Sequence, residues 1–96
     1  MGAFPFEFEW DPAKARTNFS KHGVAFERAT EIFRDPLALT IPNDEHGIIE
    51  VRWITMGRDT RGRSLLVVHT FEQHDDETAR IRIISARRPN RTESRD

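Results

Sequence analysis

The chain reads as an α+β fold: one N-terminal strand, two helices packed on one face of a mainly antiparallel sheet, and a short C-terminal helical tail. Three patterns predict it. Aromatic residues alternate with polar ones near the start. Two helical stretches are punctuated by Asp-Pro and Gly. Three strand-like runs then follow each other across short turns, the order expected of an antiparallel sheet.

Phe4, Phe6, Phe8 and Trp10 alternate with Pro5, Glu7 and Glu9, which predicts a half-buried strand at a sheet edge. Asp11 can accept hydrogen bonds from the free N–H groups of a helix start, and Pro12 fits its first turn. That helix is expected to run to about His22, with Ala15 and Phe19 facing inward, and to end at Gly23. A second helix is predicted over Phe26–Arg34, with Phe26, Ala29, Ile32 and Phe33 as its apolar stripe and Asp35-Pro36 as its stop. A short strand is expected over Leu37–Ile41, then a polar loop over Pro42–Gly47. Glu50–Gly57, Ser64–Phe71 and Thr78–Ala86 read as strands. Leu65–Val68 is apolar throughout, so its strand should be central and covered on both faces. Asn90 and Glu93 have capping-box spacing for the tail helix.

The 96 residues suit one domain, 1–96, with a modest core. The absence of cysteine excludes disulfides and thiolate zinc sites, and suits a cytoplasmic protein. No apolar run approaches membrane-spanning length, and no basic stretch precedes the first apolar residues as in a signal peptide. The net charge of −1 hides an asymmetry: residues 1–50 carry five Lys/Arg against nine Asp/Glu, and residues 51–96 carry ten Arg against seven Asp/Glu. With a pI near 6.4, composition alone does not mark a nucleic-acid binder, so the positions of the arginines decide.

The most telling run is Ala79–Arg88, ARIRIISARR. A strand sends successive side chains to opposite faces, so Ile81, Ile83 and Ile84 can enter a core while Arg80 and Arg82 line the other side. Fixed guanidinium forks on a sheet suit phosphates or carboxylates. Arg52, on a strand two away, and Arg87, where the last strand ends, could join Arg82 around one phosphodiester. Surface ion pairs of the same arginines with Glu7, Glu9 or Glu50 would explain the pattern equally. His69, inside a strand, is a candidate proton donor, with a buried, hydrogen-bonded histidine as the plain alternative. Glu50 shares a side with Arg52 and is a candidate base. Trp53 could stack an unpaired base if it faces outward, or fill the core if it does not. No metal-ligand spacing, P-loop, dinucleotide fingerprint or nucleophile elbow is present, so neither a metal nor a cofactor is expected.

Phe8–Phe26 (FEWDPAKARTNFSKHGVAF), Glu50–Gly57 (EVRWITMG), Gly62–Thr70 (GRSLLVVHT) and Arg80–Arg88 (RIRIISARR) resemble the BrnT family of bacterial type II toxins. The pattern WDxxKxxxNxxKHG, from Trp10 to Gly23, is its most specific part. The resemblance implies a RelE-like fold and a metal-independent endoribonuclease that inhibits growth. It also implies a BrnA-like antitoxin that neutralises the toxin, commonly in a 2:2 assembly, and supplies DNA binding. Carried onto this chain, it favours Glu50, Arg52, Trp53, Arg82 and Arg87 as site residues, with Arg63 and Arg80 next. Arg88, Lys14 and Lys21 are further candidates for RNA contact, although the Lys14–Gly23 signature could equally be a device of the fold. Family members often carry Tyr where His69 stands and a longer C-terminal helix bearing an aromatic residue, so His69 gains no support from the resemblance. A catalytically degenerate module kept for its antitoxin complex and for autoregulation is the alternative function. Direct DNA binding is disfavoured, because Glu27 and Glu31 spoil the second helix as a basic recognition helix.

Overall fold

The computed structural model describes residues 6–43, 51–73 and 75–90. Its elements are β1 (Phe6–Glu9), α1 (Pro12–His22), α2 (Phe26–Ala29), a 3-10 helix (Thr30–Arg34), β2 (Leu39–Asn43), β3 (Arg52–Arg58), β4 (Ser64–His69), β5 (Glu72–Gln73) and β6 (Ala79–Arg87). One sheet runs in the order β1-β6-β4-β3-β2, with β5 paired to the start of β6. Every pairing is antiparallel except β1 with β6, which is parallel. The helices pack on one face, as the pattern predicts.

Local chemistry sets the first helix. The Asp11 carboxylate accepts from the Ala13 N–H at 2.9 Å, and Gly23, at φ 71°, donates its N–H to the Phe19 carbonyl at 2.8 Å. The inner face of α1 differs from expectation. Phe19 is 57% exposed, and it is Asn18 that is buried. Its amide donates to the Val24 and Ala86 carbonyls at 3.0 and 2.8 Å and accepts from the Ala86 N–H at 3.1 Å. One side chain thus ties the end of α1 to the last strand, and a polar residue displaces the aromatic one.

The second helix is shorter than predicted. Ala25 offers no side-chain cap, and α-helical geometry holds only to Ala29 before the chain tightens into a 3-10 turn. The Thr30 hydroxyl bonds back to the Glu27 carbonyl at this junction, a local bond that competes with the helical ladder. The next strand begins two residues later than predicted. Asp35 accepts from the Leu37 N–H and its carbonyl from the Ala38 N–H, so the chain turns through Leu37 before extending. The strand predicted to reach Phe71 stops at His69, and Glu72–Gln73 pairs separately. A bulge lies just before this end: Val68 pairs with Ser85 and His69 with Ile83, which leaves Ile84 as the extra residue. The predicted tail helix lies outside the described residues beyond Asn90; of the predicted Pro42–Gly47 loop, Pro42 and Asn43 instead extend the strand by pairing with Trp53 and Arg52, and the rest is outside the described residues.

Val24, Phe26, Ala29 and Ile32 from the helical layer pack on Leu65, Val67, Ile81, Ile83 and Ala86 from the sheet. β4 is central, and Leu65, Leu66 and Val67 are all buried, as the unbroken apolar run predicts. Gly57 lets Ile32 approach: a Cβ there would lie 3.2 Å from the Ile32 Cβ and 3.1 Å from that of Ala38. No helix among the described residues is long and apolar enough to cross a membrane.

Candidate active site

Cross-strand partners share a face, so the register assigns every predicted site residue. Thr55, Val67, His69, Ile81, Ile83 and Ala86 face the helices. Arg52, Arg80, Arg82, Ser85 and Arg87 therefore face the other way, here called the far face.

The register spaces the backbones of the arginines along this face. Arg52 and Arg82 occupy one row, each a single position beyond the aligned residues Trp53, His69 and Ile83, and two strand spacings place their backbones about 10 Å apart. Arg87 pairs with Leu66, and four strand steps, with Ile84 bulged out, put it about 13 Å further along β6 than Arg82. The three backbones thus form a strip along the far face. Arg80 is engaged at the sheet edge, 3.9 Å from both Glu7 and Glu9. These exposed pairs contribute little to stability. Arg88 follows the strand end and accepts a bond from Arg87 on its carbonyl, and Arg63 lies in the β3–β4 turn, its N–H held by Asp59.

At Ile84 and Ser85, the stretch of β6 that separates Arg82 from Arg87, lies a cleft of about 300 Å³. β1 ends beside Arg82, and α1 then runs along the free edge of the second half of β6. Lys14, Thr17, Lys21 and His22 form the helix wall, and Ile84 and Ser85 form the floor. Lys14 and Lys21 are seven residues apart, two helical turns, so they repeat on one side of α1. Asn18, halfway between them, fixes that side against Ala86. The signature from Trp10 to Gly23 is thus a fold device and the wall of a cationic cleft at once. The signal for His22 was present in the Lys21-His22-Gly23 ending, but a histidine at a helix C-terminus is already accounted for by the helix dipole, which hid it.

His69 does not join this face. It is 2% exposed, packs edge-on to Phe33 at 4.9 Å, and uses both ring nitrogens: Nδ1 donates to the Thr70 carbonyl at 2.9 Å, and Nε2 meets the Thr55 hydroxyl at 2.7 Å. Burial holds its pKa below the usual histidine range, partly offset by the bond to Thr70. Trp53 also turns to the helix side, opposite His69 in register. Glu50 lies outside the described residues.

Cationic side chains along an edge cleft of a sheet suit anionic ligands such as phosphate. Residues 10–93 match the family model described as "Ribonuclease toxin, BrnT, of type II toxin-antitoxin system", and the chain belongs to this family. The crystal structure of the Brucella abortus ribonuclease toxin BrnT is similar, with a TM-score of 0.62 and 23% identity, covering 85% of this chain and 94% of that one. That likeness shows the α+β fold. No curated protein matches the chain.

Proposed function

We propose that the chain is a metal-independent endoribonuclease toxin whose α1–β6 cleft holds the RNA backbone, and that a cognate BrnA-like antitoxin neutralises it. The observation that carries this reading is the placement of Lys14, Lys21 and His22 over Ser85 between Arg82 and Arg87. In the reaction the RNA 2′-oxygen forms a bond to the adjacent phosphorus and the bond to the 5′-oxygen breaks. The 2′-hydroxyl proton passes to a base, and a proton is delivered to the leaving 5′-oxygen. Arg82 and Lys21 would stabilise the charge that gathers on phosphate, the largest contribution in most such sites. Arg87, Lys14 and Arg52 would hold neighbouring phosphates, with Arg88 and Arg63 extending the track. His22, the histidine of this cleft, is the proton carrier, and Glu50 stays a proposed base. The antitoxin would form a 2:2 complex with the toxin and bring the assembly to DNA.

The test is cleavage of single-stranded RNA in EDTA by purified protein, together with growth on induction. Losing one charge donor lowers such rates by about a hundredfold or more. Arg82→Ala and Arg87→Ala, each folded, are expected to lose both cleavage and growth inhibition, and co-expression of the antitoxin should restore growth with the unaltered chain. Full toxicity in both variants refutes the site. The inward turn of His69 favours a second reading, a non-catalytic module kept for its antitoxin complex; RNA binding without cleavage would select it.

A further inference from the structure

On the helix side, at the end of the sheet where Arg52 and Arg82 stand on the far face, lies a second cavity of about 270 Å³. Phe6, Phe33, Trp53 and Phe71 wall it, and Thr40, Thr55 and His69 supply its polar atoms. It is smaller than the roughly 300–1,000 Å³ that drug-sized ligands occupy, so it suits one flat ring system. The walls are set in advance by edge-to-face contacts: Phe6 lies 6.1 Å from Phe33 and 6.4 Å from Phe71. Thr40 and the 45%-exposed Phe71 mark its mouth.

The polar atoms form a chain with a forced direction. A carbonyl can only accept, so the contact of Nδ1 with the Thr70 carbonyl puts the proton of the neutral ring on Nδ1. Nε2 then accepts from the Thr55 hydroxyl at 2.7 Å. With its proton spent, Thr55 accepts from the Thr40 hydroxyl, also at 2.7 Å. Thr40 thereby shows the cavity an oxygen that accepts and does not donate. The cavity rim also shares backbone with the cation row. Trp53 follows Arg52, and Phe71 follows Thr70, whose N–H bonds the Arg82 carbonyl at 3.0 Å.

We infer that this cavity is a nucleobase pocket: it stacks one base of the RNA strand among its aromatic walls and reads an N–H of that base with the Thr40 oxygen. The inference deepens the ribonuclease reading and rests on it for the source of the base. Aromatic walls with a single acceptor, on strands that carry Arg52 and Arg82 on their other face, fit a base at the end of a phosphate chain better than they fit an apolar side chain of a protein.

Adenosine and purine riboside test it, since they differ only in the amino group and carry no phosphate for the cation strip. The indole N–H resonance of Trp53 reports binding, with that of Trp10 as internal control. Adenosine is expected to shift the Trp53 signal saturably, and purine riboside to bind about fivefold more weakly, the worth of one net hydrogen bond. Thr40→Val, on an exposed edge strand, should bind both equally, and Phe71→Ala should weaken both. No shift with adenosine, equal affinity for the two nucleosides in the unaltered chain, or occupancy by indole in place of adenosine overturns the pocket. A chain that binds adenosine as stated but leaves RNA intact keeps the pocket and refutes the nuclease. A chain that cleaves RNA but ignores adenosine does the reverse.

Discussion

His69 carries a pH dependence that its surroundings dictate. The folded ring is kept neutral because burial penalises its charged form. In the unfolded chain it titrates near the ordinary value of 6.5. Above that pH both states are neutral and the ring contributes no difference. Below it the unfolded chain takes up a proton that the folded chain declines, so stability is lost as pH falls from 6.5 toward the lower folded value. Urea unfolding at pH 7.5 and 5.5 should show a lower midpoint in acid, and His69→Gln should shrink the difference between the two pH values. An unchanged difference would mean that the ring is not buried neutral. The orientation of His69 was not legible beforehand. Alternation assigns faces only where one face is polar, and Leu65–Val68 is apolar on both sides. The same run did reveal that β4 is central, because a strand covered twice needs no alternation.

Among the elements, α1 shows what local chemistry writes openly and what it conceals. Both ends were readable, since the Asp11-Pro12 start and the Gly23 stop act within a turn of themselves. The inward residue was not, because helical periodicity ranks Phe19 above Asn18, and only the distant Ala86 gives Asn18 a reason to be buried. Removing that amide by Asn18→Ala leaves the Val24 carbonyl and both polar groups of Ala86 without this partner. At roughly 1–3 kcal/mol for a buried group left unsatisfied, the loss should be about 3 kcal/mol by denaturant unfolding. A loss below about 1 kcal/mol would show that Asn18 is not the tie between α1 and β6. The bulge was equally silent: Ile84 reads as one more isoleucine bound for the core, and only the pairing with β4 sets it out of register and half-exposed.

At the scale of the whole molecule, a chain of net charge −1 presents a local strip of Lys14, Lys21, Arg52, Arg82 and Arg87. Bulk charge is therefore a poor guide to its partner, and salt dependence is a better one. Contacts from about five cations to single-stranded RNA imply a log–log slope of affinity against salt of about −3.5, and Lys14→Ala should reduce its magnitude by about 0.7. A slope near zero would remove the phosphate track. The strip could be suspected from β6 alone, since Arg80 and Arg82 announce themselves by alternation. The cleft could not, because it arises from β1 lying parallel to β6, a pairing between segments some 73 positions apart that no local pattern records.

That pairing also fixes when the cleft can exist. One of its walls comes from residues near 20 and its floor from residues near 85. While a ribosome is still decoding the β3–β4 turn, every lysine of α1 has been made and the surface it must lie against has not. A copy still being translated cannot assemble the cleft until its residues near 85 have left the ribosome.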